Sequence, residues 1–169
     1  MFRNQDQFAI WDLDNCLADD RARIRLIDWT KTDPTERYAA YHAAGALDPV
    51  RNENVFHAIS QLARPVFFTG RPEAVRTAAT RWIRCELDVE APLVLMRPDG
   101  CTCSAVELKR AMISCYAVQM HEQRNVQACY AAFDDREDIV DMYRSFGIPA
   151  ALLSIHSVSA YIEPKGVSK

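Results

Sequence analysis

The 169-residue sequence has no apolar run approaching the roughly 18–20 residues that a membrane-spanning helix needs. Its amino end, MFRNQDQ, lacks the apolar core of a secretory leader, so a cytoplasmic address is the default expectation. A surplus of positive charge is missing as well: 20 Lys and Arg stand against 23 Asp and Glu, a net charge of −3. That balance disfavours a surface built to grip nucleic acid through many phosphates, which needs clustered cations, and leaves room only for a local basic pocket. The six cysteines, at 16, 85, 101, 103, 115 and 129, contain a single close pair, Cys101 and Cys103. Zinc sites usually take wider C-x2-4-C pairs backed by a second pair or by histidines, so reduced and mostly buried thiols are expected. Internal repeats, low-complexity tracts and long linkers are absent. The polar tail EPKGVSK is expected to fray.

What is present reads as one domain, 1–169, of ordinary soluble composition and long enough to bury a sizeable core. Apolar runs alternate with amphipathic stretches. Strands are expected at Phe8–Asp12, Pro65–Thr69, Leu93–Met96, Ala128–Phe133 and Ala150–Ser154. Helices are expected at about Asn52–Ala63, Glu73–Cys85, Ser104–Val118 and Arg136–Phe146. This alternation predicts an α/β fold: right-handed βαβ crossovers and a parallel sheet covered on both faces. Ligands of such sheets bind beyond the carboxyl ends of the strands. Asp12, Thr69 and the pair Asp134–Asp135 should therefore share one rim. Residues 19–50 form an insertion with its own helix signal: Asp33 as N-cap, Pro34 at the first helical position, Glu36 three residues after the cap, and Gly45 as a stop. It is too small for a second domain and suits a lid beside the rim.

The stretch FAIWDLDNCLADD drives a core strand straight into Asp12 and Asp14, two carboxylates with one residue between them. Either both acids are solvated at a strand end, or a cation sits between them. DLDNCLAD resembles motif I, D-x-D-x-T/V, of the haloacid dehalogenase (HAD) superfamily. FFTGRP resembles motif II with Thr69 at the hydroxyl position, Lys109 in AVELKRA suits motif III, and FDDREDIVDMYRSFGIP resembles motif IV. The likeness covers nearly the whole chain. Within that superfamily the chain resembles the phosphatase domain of phage polynucleotide kinase/3′-phosphatase and small stand-alone phage proteins related to it. Cys16 departs from the usual Thr or Val, and these 169 residues hold no G-x-x-x-x-G-K-S/T sequence, so no kinase half is expected in them.

The resemblance implies a HAD-like Rossmannoid three-layer α/β/α sandwich and a Mg2+-dependent phosphatase working through an aspartyl-phosphate. In it Asp12 is nucleophile and metal ligand, and Asp14 is the acid/base whose carbonyl also binds metal. Asp134 completes the metal site with Asp135 nearby, while Thr69 and Lys109 hold the phosphoryl oxygens. Gly70 and Arg71 belong to the substrate side. The chemistry asks for the same residue types: a dianionic monoester is slow to hydrolyse, a carboxylate nucleophile splits the reaction into two steps, and bringing two anions together needs a hard cation.

Several positions have two readings. Thr69 also suits a cap of the turn before Pro72. Lys109 also suits a solvated helix face, with Arg110 or Arg97 serving instead. Asp138 is either a site acid or a first-turn acid favoured by the helix dipole. Arg71 is a substrate contact or half of a surface ion pair. Arg21, Arg23 and Arg25 meet a substrate phosphate or form a solvated face. Tyr38, Tyr41 and His42, at i, i+3 and i+4, stack on a nucleobase or pack the lid. His57 and His121 carry no partner signal. The expected substrates are nucleotides or nucleic-acid 3′-phosphate ends, with a general small-metabolite phosphatase and a non-catalytic binding protein as alternatives.

Overall fold

The computed structural model describes residues 7–122 and 128–153. Five strands, β1 (Gln7–Trp11), β2 (Arg64–Pro72), β3 (Leu93–Arg97), β4 (Ala128–Asp134) and β5 (Ala150–Leu152), form a parallel sheet in the order β3-β2-β1-β4-β5. The helices are α1 (Pro34–Arg37), α2 (Ala39–Ala43), α3 (Glu53–Ser60), α4 (Arg76–Glu86), α5 (Ala105–Glu122) and α6 (Glu137–Ser145). Every expected strand and core helix is present, shifted by a few residues at its ends. Ser154, the 163–169 tail and the His121 side chain lie outside the described residues.

Alternate residues of each strand serve opposite layers. Ala9, Trp11, Phe67 and Phe133 pack with Phe56 of α3 and Trp82 and Ile83 of α4. Phe8, Ile10, Val66, Phe68 and Ala132 pack with Met112 and Tyr116 of α5 and Ile139 and Tyr143 of α6. Both faces being covered, the strands read as unbroken apolar runs. The result is a Rossmannoid three-layer sandwich. Trp11 stacks on Phe133 with ring centroids 4.2 Å apart, clamping β1 to β4 close to where both strands end. Right-handed crossovers send helices to one face when the chain moves toward β3 and to the other when it moves toward β5. The chain changes direction around β1 and β4, so a crevice opens beyond their carboxyl ends.

The insertion leaves and rejoins the sheet at neighbouring points: the Asp19 amide donates to the Pro49 carbonyl and the Arg51 amide to the Leu17 carbonyl. Asp33 caps α1 as expected, its carboxylate accepting from the amides of Thr35 (2.7 Å) and Glu36 (3.2 Å). The expected single helix is broken at Tyr38 into α1 and α2. Helices this short draw their stability from tertiary contacts rather than propensity.

Gly45 is not the helix stop that was expected. The stop comes earlier, at Ala43, and Gly45 sits in the following 3-10 turn with Arg71 packed against its Cα. A Cβ there would meet the Arg71 guanidinium at 2.9 Å, and that side chain is fully buried, so the glycine permits a close approach. Gly45→Ala is expected to cost about 1–3 kcal/mol in urea unfolding through overpacking. Gly70→Ala, whose Cβ meets nothing within 4 Å, is expected to be neutral or slightly stabilising. Equal effects would mean that Arg71 yields freely.

Candidate active site

After β1 the chain winds around one carbonyl. Leu13 O accepts the amides of Cys16, Leu17 and Ala18 at 3.3, 2.9 and 2.7 Å. That turn sends Leu13, Cys16 and Leu17 into the core, and puts Asp12, Asp14 and Asn15 on the wall of a cavity of about 1100 Å³. Asn15 holds the bend at φ 60°, a left-handed conformation that asparagine tolerates. The strand does not surface at this point, since Asp12 is buried.

Asp12 is joined by Asp134 and Asp135, and one carboxylate oxygen of each lies within 4.8 Å of the others. Lys109 reaches them from α5, which opens with a reciprocal cap: the Glu107 amide donates to Ser104 Oγ and the Ser104 amide to Glu107 Oε2. Lys109 Nζ donates to Asp12, to the Phe68 carbonyl at 2.6 Å and to Asp134 at 3.0 Å. Lys109 is therefore a buried site residue, not a solvated one. Arg110 is exposed, its guanidinium 5.7 Å from the Phe146 ring. Burial opposes the Lys109 charge, but Asp12 and Asp134 outweigh it and hold the ammonium above the ordinary lysine range. Burial pushes the Asp12 carboxyl well up; Lys109 opposes, while Asp134, Asp135 and Asp14 push further. Three carboxyls share one ammonium, a shortage of positive charge that, with burial, holds Asp12 and Asp135 above the ordinary carboxyl range. A divalent ion with oxygen ligands fits that deficit. The Asp14 carboxylate stands outside the group.

Asp14 belongs to a second cluster. Its Oδ1 accepts from Arg71 Nε and Nη2 at 2.9 and 2.6 Å, and from Arg23 Nη2. Both arginines are buried and share Asp48: Arg23 Nε bridges its two oxygens at 2.9 and 2.8 Å, and Arg71 Nη2 reaches Oδ2 at 3.2 Å. Two cations and two anions balance there. Burial raises the Asp14 pKa, but Arg71 and then Arg23 outweigh it and hold the carboxyl below its ordinary value. Arg71 is thus no surface ion pair, and Arg23 separates from its neighbours: Arg21 is exposed on Asp19, and Arg25 is exposed.

The remaining expected residues fall as follows. Thr69 is fully buried, its Oγ1 accepting the Arg71 amide at 3.2 Å, while its own proton has no acceptor among the described residues. Gly70 lines the cavity. Asp138 is exposed and paired with Arg136, a first-turn acid rather than a site acid. Tyr38, Tyr41 and His42 cluster on the cavity's insertion side, with Tyr38 6.0 Å from both other rings. Tyr41 is held as a packing residue, donating to Asp20 at 2.7 Å beneath the Arg23 guanidinium. His42 is lowered to about 4, chiefly by burial, and is neutral at physiological pH. His57 is exposed beside Glu53. Among the cysteines only Cys16 is fully buried, against the expectation of mostly buried thiols.

Asn15 and Asp48 carried no expectation from the sequence, and Arg97, expected only as a stand-in for Lys109, has a different part. Asn15 donates to Asp135 at 2.7 Å and accepts from Arg51. Arg97 braces the far wall through the carbonyls of Gly70, Cys101 and Cys103. The one local signal was an asparagine in a tight turn; the partners of Asp48 and Arg97 are distant in sequence or set by loop geometry.

No family model and no curated protein matches the chain. Solved structures do. One of a Pnkp1/Rnl/Hen1 complex aligns with a TM-score of 0.63 at 17% identity, over 89% of this chain and 47% of that one. One of the Pnkp1/Rnl/Hen1 RNA repair complex gives 0.62 at 19%, over 91% and 45%. The class C acid phosphatase from Bacillus anthracis gives 0.58 at 11%, over 89% and 67%. The chain thus spans less than half the length of the first two, and likeness at these identities establishes the fold. Among the described residues, no helix is long and apolar enough to cross a membrane.

Proposed function

We propose that this chain is a HAD-superfamily phosphomonoester hydrolase, dependent on Mg2+ and acting on nucleotides or nucleic-acid 3′-phosphate ends in the cytoplasm. One observation carries the reading: a buried strand-end cleft where Asp12, Asp134 and Asp135 outnumber Lys109. The fold shared with a phosphatase and with an RNA repair complex component supports it. Asp12, Asp134 and Asp135, with the Asp14 carbonyl, would hold the ion, which supplies the charge that lets a dianionic phosphate approach a carboxylate.

Asp12 attacks phosphorus and forms the aspartyl-phosphate. Lys109, tied to Asp12 and the Phe68 carbonyl, orients that carboxylate and offsets charge on the phosphoryl oxygens. The Thr69 hydroxyl, with its proton unclaimed, donates to the same oxygens; Arg21 lines the cavity on the substrate's anionic side, while Arg23 and Arg71 are buried behind Asp14 and reach that side on release from it. Asp14 protonates the leaving oxygen and then activates water. Its arginine partners favour the ionised form, so phosphate binding must draw Arg23 and Arg71 partly away before Asp14 serves as an acid. The 19–50 insertion forms a lid on the cavity.

The test is phosphate release from nucleoside 5′- and 3′-monophosphates, 3′-phosphorylated oligonucleotides and sugar phosphates, with Mg2+ and with EDTA. Mg2+-dependent turnover of the nucleotide group is expected. Preference for sugar phosphates makes it a general metabolite phosphatase, and no turnover of any substrate makes it a binding protein.

A further inference from the structure

Cys101 and Cys103 take no part in this chemistry, yet they stand in the wall of the same cavity. Their sulfurs are 2.8 Å apart, a small movement from the roughly 2.05 Å of a disulfide bond. Arg97 Nη1 lies 3.6 Å from Cys103 Sγ and 3.9 Å from Cys101 Sγ, and donates to the carbonyls of both residues at 2.8 and 3.2 Å. One guanidinium therefore fixes the turn and places positive charge beside both sulfurs, the setting that favours a thiolate. Either thiol can donate across this contact, which lowers the Cys101 pKa and raises that of Cys103. The other cysteines differ. Cys16 is sealed in the core and raised well up by burial, Cys129 is pushed up to about 12 by burial, and Cys85 and Cys115 are exposed on α4 and α5.

The geometry points to a reversible thiol–disulfide modification site at Cys101–Cys103, oxidised by hydroperoxides. The Cys101 thiolate attacks a peroxide oxygen and breaks the O–O bond. Hydroxide leaves, takes up a proton as water, and Cys101 becomes a sulfenic acid. The Cys103 sulfur attacks that sulfur, expels hydroxide and gives up its own proton, which yields the disulfide and a second water. Two thiols and one hydrogen peroxide thus become one disulfide and two waters, the two electrons passing from sulfur to oxygen. A ring closed over one residue, Thr102, is small and accessible, the type that external dithiols reopen through a mixed disulfide. Cys103 directly precedes Ser104, the cap of the helix that carries Lys109, so the ring forms beside the start of that helix.

The site is independent of the phosphatase reading and is tested without turnover. The full chain carrying Cys85→Ser and Cys115→Ser, fully reduced, is treated with a small excess of hydrogen peroxide and followed by intact mass and thiol alkylation. Expected are a loss of about 2 Da, the disappearance of two alkylatable thiols, and recovery of both with dithiothreitol. The mass loss maps to the peptide holding residues 101–103 and vanishes in Cys101→Ser and in Cys103→Ser. In Cys103→Ser a dimedone adduct appears on Cys101, and Arg97→Gln slows the parent reaction about ten-fold. A gain of about 32 Da on one cysteine, or no mass change, overturns the proposal.

Discussion

Asp12→Asn should lower phosphate release at least about 10³-fold on any substrate the chain turns over, and leave the fold intact. The amide is nearly isosteric but neither attacks phosphorus nor binds a hard cation well. The fold survives because the substitution removes one of the charges that burial disfavours. Lys109 keeps its bonds to Asp134 and to the Phe68 carbonyl, so no ammonium is stranded. The Asp12 amide, which fixes β1 to Phe133, is main chain and unchanged. Steady-state assays with Mg2+, run beside thermal melts and near-UV circular dichroism, check both halves. Activity near the parent level would remove Asp12 as nucleophile. Lost activity with a lost fold would leave Asp12 as an architectural residue, because the cluster would then be holding the sheet ends together.

The acids were legible because parallel, doubly covered strands announce themselves. An apolar run such as FAIW that stops at DLD, and AAF that stops at DD, can be read without coordinates, and topology brings those ends to one rim. Lys109 was legible only as a position on a helix; its burial between Asp12 and Asp134 depends on where α5 crosses β2. The burial of the arginine cluster was not legible for a general reason. Arginines are rarely fully buried, so Arg23 and Arg71 were read as substrate contacts or surface charge and not as a buried pair around Asp48. Their partner Asp48 lies 25 and 23 residues away from them with no periodic signal between. The role of Gly45 was hidden likewise, since it is set by the guanidinium packed on it and not by the helix it follows. Local pattern carried the strands and their ends, whereas long-range charge matching carried everything behind Asp14.

That matching sets the largest stability effect expected here. In Asp48→Asn, the buried Arg23 and Arg71 face Asp14 alone. Removing one partner of a buried ion pair costs about 3–5 kcal/mol, because the surviving charge keeps its desolvation penalty. For a domain of this size the melting temperature should fall by roughly 10 °C. Replacing the pair together, as Arg23→Met with Asp48→Leu, restores parity: Asp14 and Arg71 remain, one charge each, and apolar side chains fill the space. Such exchanges are commonly neutral or stabilising, so most of the lost melting temperature should return. Activity should not return with it. If Arg23 meets the substrate's phosphate, the double variant loses about 10²-fold or more in kcat/KM while melting near the parent. Melts and kinetics on the parent, the single and the double variant separate the two roles. A double variant that is stable and fully active would make Arg23 a structural counter-ion only. A single variant that melts within a degree or two of the parent would mean that the cluster is solvated and its charges are worth little.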